Sequence, residues 1–231
     1  MITHHPDDNL LAEYAGGGLA WALSVSVAAH IQLCPLCRQR VLTLNALGGA
    51  LLTNAISEPV AQDSFAHLMA RIRSDSASED KTLKKVHSHH ELHASYKHNP
   101  MLNRLPKVVA KLLPANGKLK WRRVSSALKT AHLAVGQNEY EVAFQCIRSG
   151  GTVVEHDHRG LEITLVLHGS FSDENGVYCE GDFLIRRPGE VHRPTATLNQ
   201  DCLCLSVVAA PVKVTGFFGK FINPFLSVNP A

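Results

Sequence analysis

The sequence lacks the features that carry a protein into or across a membrane. Its first ten residues, MITHHPDDNL, contain no basic stretch followed by an apolar core, so no secretory signal peptide is expected. The most apolar stretch, residues 19–33, is too short for a membrane span and includes serine, histidine and glutamine. These absences predict a cytoplasmic protein without a membrane partner.

Strong charge and a disulfide framework are also missing. A net charge of +3 gives no reason to expect direct binding of nucleic acid. The six cysteines do not have the even spacing of a secreted disulfide scaffold: they are Cys34, Cys37, Cys146, Cys179, Cys202 and Cys204. In the cytoplasm, paired thiols more often hold a metal or sense redox state. The 231 residues, 45% of them apolar, suffice for one or two globular domains with a real core.

The first part of the chain predicts short helices. Asp7 or Asp8 can cap a helix through LLAEYA, which the glycines at 16–18 end. Residues 19–34 supply a second helical segment, and its helix is expected to end near His30. A third helix is expected to begin at Pro35, because proline is favoured in the first turn of a helix. QDSFAHLMARIR can form a fourth, with its apolar side chains on one face. The pattern predicts a compact all-α bundle.

The remainder of the chain has a different pattern. Residues 74–100 are rich in serine, charge and histidine, which is typical of a solvated linker and leaves weak metal binding as the less favoured alternative. From about residue 105, short segments with alternating or β-branched residues predict an antiparallel barrel or sandwich. The predicted division is a helical domain at 1–85, a His-rich linker at 86–104, a β domain at 105–215 and a tail at 216–231.

The motif HIQLCPLC suggests a metal site. On a continuous helix His30, Cys34 and Cys37 would lie within an arc of about 60°. Pro35 favours two helices instead, with the thiols at the start of the second, where the helix dipole lowers a thiol pKa and suits zinc.

The fourth ligand must come from another part of the chain. The histidines before the predicted linker, apart from His30, are His4, His5 and His67. His5 directly precedes the acidic cap of the first helix, where a metal could pin the N-terminus to the next two helices. A redox CxxC pair is the alternative, although the βαβ context of that motif is absent.

A second set of ligand residues lies in GGTVVEHDHRGLEITLVLHG. His156 and His158 are two residues apart, so on a strand they would point to the same side. Glu162 can return after a turn through Gly160, and His192 is expected from a later strand. Three imidazoles and a carboxylate suit zinc, iron, manganese or nickel.

The N-terminal residues HPDDNLLAEYAGGGL and HIQLCPLC resemble the zinc-binding anti-sigma domain, in which a histidine precedes a Cys-x-x-Cys and another lies near the start. That resemblance implies His5, His30, Cys34 and Cys37 as zinc ligands, with His4 as the neighbouring alternative to His5.

The second constellation is similar to the two cupin motifs, which implies a jelly-roll type barrel with His156, His158, Glu162 and His192 as metal ligands. Two residues depart from the second motif: Pro188 directly precedes Gly189, and Ala196 replaces the usual asparagine.

Together the two halves resemble ChrR-type anti-sigma factors. The resemblance implies a non-enzymatic regulator that binds one extracytoplasmic-function sigma factor through its zinc domain and releases it when the cupin senses singlet oxygen or organic peroxides. Cys202 and Cys204, two residues apart on a predicted strand, could be redox active or simply buried. The alternative function is a cupin dioxygenase acting on a small oxygenated substrate.

Overall fold

A computed structural model describes residues 1–57, 59–78, 101–114, 118–137 and 139–215, with the backbone alone at 75–78. Most of the predicted His-rich linker and all of the predicted tail at 216–231 lie outside the described residues. No helix within these ranges is both long and apolar enough to cross a membrane.

Five helices are described, and the first four lie where the sequence predicts them. Asp7 caps the first helix, since its Oδ1 accepts the backbone N–H of Leu10 at 2.8 Å. The second helix continues to Leu33, past the predicted end near His30, because the Cys34 N–H still donates to the His30 carbonyl at 2.7 Å. The helices are α1 Asp8–Ala15, α2 Trp21–Leu33, α3 Pro35–Thr53, α4 Ser64–Ser78 and α5 Lys107–Ala110.

The C-terminal half forms three antiparallel sheets, in agreement with the predicted β barrel. The strands are β1 Arg122–Arg123, β2 Leu128–His132, β3 Glu141–Ile147, β4 His156–Asp157, β5 Glu162–His168, β6 Ser170–Asp173, β7 Gly176–Cys179, β8 Phe183–Arg186, β9 Thr195–Ala196, β10 Cys202–Val208 and β11 Lys213–Val214. Their orders are β1-β2-β3-β10-β5-β8, β7-β6-β9 and β11-β4. The long central strand β10 therefore pairs with both β3 and β5.

The alternation of side chains along β10 divides the core into two parts. Cys202, Cys204 and Ser206 point into the barrel, while Leu203 and Leu205 point outward. The outward residues belong to the same buried cluster as the apolar residues of α2, so the helical half packs directly on the cupin sheet.

The end of the predicted linker contributes to this shared core. Leu102 is buried in it, and α5 packs beside α2, where the Lys107 N–H donates to Gln32 Oε1 at 2.7 Å. The two halves are consequently held together by apolar burial as well as by polar contacts.

Candidate metal centres

The N-terminal centre gathers residues from three elements. His5 precedes α1, His30 lies in the last turn of α2, and the two cysteines begin α3. The four possible ligand atoms lie within 4.8 Å of one another, and His5 Nδ1 is 3.5 Å from Cys34 Sγ and 3.4 Å from Cys37 Sγ. The structure thus brings together the four residues that the sequence analysis names.

The other histidine candidates lie apart from this centre. His4 turns toward Asp182, with 3.7 Å between its Nδ1 and the carboxylate, and His67 lies exposed beside Asp63 on the fourth helix. Neither belongs to the cluster of ligand atoms. Of the three histidines considered for the fourth position, the geometry favours His5.

His30 has the state that a metal ligand requires. Its Nδ1 lies 2.9 Å from the Gly181 carbonyl, which can only accept, so this nitrogen carries the proton. Its Nε2 is buried and has no hydrogen-bond partner. Burial lowers the pKa of His30 to about 4, so the ring is neutral at pH 7. An unpaired lone pair in a buried site fits a metal ion.

The two thiols lie at the start of α3, where Cys34 is the N-cap and its Sγ accepts the Cys37 N–H at 3.5 Å. The sequence predicted that the helix dipole lowers the thiol pKa, but burial, reinforced by the adjacent Cys34, raises the pKa of Cys37 to about 12. The Cys37 thiol therefore does not ionise on its own. A bound cation deprotonates coordinating thiols, and a closed set of two cysteines and two histidines suits tetrahedral zinc.

The cupin centre lies inside the barrel. His156 is the first residue of β4, His158 directly follows that strand, and Glu162 is the first residue of β5. His192 was expected on a later strand, but it lies in the loop between β8 and β9. It pairs there with His156 through two backbone hydrogen bonds of 3.1 Å. The four possible ligand atoms are again within 4.8 Å of one another.

The ring contacts at this centre fit a metal ion. His156 Nδ1 donates to the Val154 carbonyl at 2.8 Å, and His192 Nδ1 donates to Asp173 Oδ2 at 3.2 Å. Both Nε2 atoms therefore present lone pairs, and they face each other at 3.0 Å. Two lone pairs at this distance repel one another unless a proton or cation lies beside both of them.

The remaining two ligands make a similar close approach. His158 Nδ1 and Glu162 Oε2 are 2.8 Å apart, and neither buried atom has another hydrogen-bond partner among the described residues. Burial alone raises the pKa of Glu162, but the three histidines outweigh it and lower the pKa to about 2. Burial, together with His156, lowers the pKa of His192 to about 4. The centre thus offers three imidazoles, of which that of His192 is neutral at pH 7, and an ionised carboxylate, which is the donor set that divalent metals prefer.

Asp173 supports the cupin centre, and the sequence analysis did not identify it. It lies at the end of β6, and its Oδ2 accepts from both His192 and Arg186, the latter at 2.7 Å. Its Oδ1 accepts the Tyr178 hydroxyl at 3.0 Å. Such a carboxylate holds the histidine ring in one orientation. In the sequence Asp173 belongs to the turn residues DENG, so composition indicates only a hairpin there.

Cys202 and Cys204 lie on the inner face of β10. Their Sγ atoms are 3.7 Å apart, and both side chains are buried. The hydrogen bond with Cys202, together with burial, raises the pKa of Cys204 well above that of an ordinary thiol. Cys204 also lines a cavity of about 30 Å³ that includes His156, Glu162 and His192. The thiol pair is therefore a direct neighbour of the cupin centre.

Comparison with known proteins agrees with both halves of this description. Residues 110–211 match the family described as the ChrR Cupin-like domain. The chain is 32% identical over 231 residues to the anti-sigma-E factor ChrR of Cereibacter sphaeroides. The aligned region covers 98% of this chain and 99% of that protein.

Solved structures extend the comparison to the fold. A chain in the crystal structure of Rhodobacter sphaeroides SigE in complex with the anti-sigma ChrR matches with a TM-score of 0.70 and 30% identity, over 90% of this chain and 99% of that one. An acetylacetone dioxygenase from Acinetobacter johnsonii matches 43% of this chain and 74% of its own, with a TM-score of 0.37 and 11% identity, which is too weak to bear on function. The chain belongs to the ChrR family of anti-sigma factors.

Proposed function

We propose that this protein sequesters one extracytoplasmic-function sigma factor through its N-terminal helices and releases it in response to a signal received by the cupin half. The observation that carries this proposal is a set of large apolar side chains exposed on α3 and α4, here called the helical apolar surface. Its residues are Leu42, Leu47, Leu51, Leu52, Phe65 and Leu68. A protein rarely leaves so many large apolar side chains in water unless they form a binding site.

The position of this surface suits a sigma-binding role. The N-terminal centre joins the start of α3 to α1 and α2, and the helical apolar surface lies beyond it along α3 and on α4. Exposed apolar side chains on helices can pack against helices of a partner. The complex of SigE with ChrR supports a sigma factor as that partner and supports one-to-one binding.

Zinc at His5, His30, Cys34 and Cys37 would serve as a scaffold in this arrangement. A site closed by four protein ligands has no open position for a substrate, so its binding energy stabilises the fold. The metal would join the segment before α1 to the end of α2 and the start of α3.

The cupin centre would hold zinc, iron, manganese or nickel and would receive the signal. The cavity beside it has a volume of about 30 Å³, room for about two waters. Ligand pockets of enzymes are usually about 300 to 1,000 Å³. A small oxygen species fits such a space better than a diketone does, which favours sensing over dioxygenase activity and is consistent with Cys202 and Cys204 as its redox partners.

The direct test is co-purification of the full chain with the sigma factor encoded in the same genome, with the mass of the complex measured by light scattering. A one-to-one complex is expected. Leu52→Asp and Phe65→Asp, at positions 77% and 71% exposed, should each weaken the complex by about 10-fold or more.

The matched control for these variants is Leu198→Asp, which introduces the same charge at an 88% exposed leucine on the cupin half. The affinity of this variant for the sigma factor should equal that of the wild type. If the full chain captures no sigma factor, or if all three variants bind equally, the helical apolar surface is not the sigma-binding site.

A further inference from the structure

The turn that joins β7 to β8, residues 180–182, and the first residue of β8 contact the N-terminal centre. The Gly181 carbonyl accepts from His30 Nδ1 at 2.9 Å, in a hydrogen bond that is buried and spans the two halves. The ring of Phe183 lies edge-on to His30 with 5.5 Å between ring centroids. The cupin half thereby sets the tautomer and orientation of a ligand that belongs to the helical half.

The same turn holds the segment that carries His5. Asp182 Oδ1 accepts the backbone N–H groups of Thr3 and His4 at 2.7 and 2.9 Å. The Phe183 N–H donates to the His4 carbonyl at 3.0 Å, next to His5 in the chain. Two of the four N-terminal ligands are therefore positioned by the cupin turn.

The burial and hydrogen bonds of Asp182 suit it to hold the N-terminal segment in place. Its side chain is 1% exposed, and its second oxygen accepts the Cys179 N–H at 2.8 Å. Burial opposes ionisation, but the backbone N–H donors outweigh it and keep the pKa of Asp182 below its usual range. Gly181 has a φ of +94°, and a Cβ there would lie 2.5 Å from Ile2 Cδ1, so the close approach of the N-terminal segment depends on glycine.

The turn is also connected to the cupin centre. Tyr178 on β7 donates to Asp173, which accepts from the cupin ligand His192. The ring of Tyr178 also contacts the ring of His4, with 4.8 Å between the ring centroids. A series of contacts through Asp173 and Tyr178 thus joins His192 to the segment that carries His5.

We propose that the β7–β8 turn is the outer coordination shell of the N-terminal metal centre, with Asp182 as the positioning residue, so that the cupin half controls how tightly the helical half holds its metal. This rests on the proposed function in one respect, the assignment of a metal to His5, His30, Cys34 and Cys37. It adds a route by which a signal in the cupin loosens the sigma-binding scaffold.

The test uses the full-length protein with both centres loaded with zinc and then challenged with a chelator. Alkylation of Cys34 and Cys37, mapped by peptide mass spectrometry, reports on the N-terminal centre alone, and native mass spectrometry counts the metals. In Asp182→Asn a single side-chain oxygen remains as a hydrogen-bond acceptor. It cannot accept the N–H groups of Thr3 and His4 and also that of Cys179. Alkylation of both cysteines should become about 10- to 100-fold faster, while the cupin metal is retained.

Two further variants keep the result interpretable. Thr3→Pro removes one N–H donor to Asp182 without altering the cupin, and it should accelerate alkylation in the same direction. Asp201→Asn is the matched control, because Asp201 also caps a backbone N–H, that of Ser149 at 2.9 Å, but within the cupin half. It should behave as the wild type does.

The outcomes separate this inference from the proposed function. If the wild type holds the N-terminal metal and neither Asp182→Asn nor Thr3→Pro releases it faster than Asp201→Asn does, the role of the turn is refuted while the metal assignment stands. If the wild type holds no metal at the N-terminal cluster, the metal assignment fails and this inference fails with it.

Discussion

The two metal centres take their support from different parts of the molecule. At the cupin centre the contacts behind the ligands come from the same barrel: Val154 holds His156, and Asp173 holds His192. At the N-terminal centre the contacts behind His30 and His5 come from the other half, through Gly181 and Asp182. The cupin centre is therefore locally complete, whereas the N-terminal centre depends on how the two halves pack.

The ligand atoms differ as well. Thiolates with imidazoles favour zinc and form a closed site, while imidazoles with a carboxylate accommodate several divalent metals. A centre of the first kind suits a permanent scaffold, and a centre of the second kind beside a small cavity suits a sensor.

Cys34→Ser should abolish metal binding at the N-terminal centre and remove sigma binding. The reason is that the scaffold loses a thiolate ligand, while serine can still cap α3. Metal content by native mass spectrometry should fall by one per chain. Cys179→Ser, at an exposed cysteine outside both centres, should retain both metals. Full metal content in the Cys34→Ser protein would contradict the assignment.

Glu162→Gln should release the cupin metal because it removes the only negative charge among the four ligands. The N-terminal metal should remain bound, although with faster alkylation of its cysteines if the cupin controls it. The measurement is the metal count combined with thiol mapping. Glu139→Gln, at an exposed carboxylate, is the control. Loss of both metals in Glu162→Gln would show that the centres are not separable.

Acidification should destabilise the metal-free protein. The pKa values of His30 and His192 are each lowered to about 4 in the folded chain, below the usual 6.5, so the unfolded state binds more protons. Their contribution is complete above pH 6.5 and is lost as the pH falls toward 4, by up to about 3 kcal/mol for each histidine.

Urea unfolding of chelator-treated protein between pH 7 and pH 4 measures this loss. His192→Gln should make the dependence on pH less steep, because one of the two titrating rings is gone. An unchanged slope in that variant would contradict the assignment of the effect to His192.

Asp173→Asn should weaken the cupin metal by about 10- to 100-fold without removing any ligand. The amide carries no charge and has one acceptor oxygen, so it cannot accept from His192 and Arg186 on one side and from the Tyr178 hydroxyl on the other. Competition with a chelator at equilibrium measures the affinity. Asp8→Asn, which breaks only the exposed ion pair with Arg40, should leave both affinities unchanged and alter stability by less than about 1 kcal/mol.

The fold was largely predictable because its signals are local. Asp7 and Pro35 mark helix starts, and alternation marks β3, β5 and β10. The candidate ligands were predictable for the same reason: short spacings such as those of Cys34 with Cys37 and of His156 with His158 place side chains together on almost any local backbone. His192 was harder to place, since a loop and not a strand delivers it.

The ligand types and their short spacings were enough to predict the two kinds of centre, because such spacings keep the ligand side chains close together in several backbone conformations. Only the tertiary structure decided that His5 and not His4 faces the thiols, and that Gly181, Asp182 and Asp173 support the ligands. Those contacts join residues more than a hundred positions apart or turn residues with no distinctive spacing. The contacts of Gly181 and Asp182 arise when the helical half packs on the outer face of the cupin sheet, and no local pattern encodes that packing.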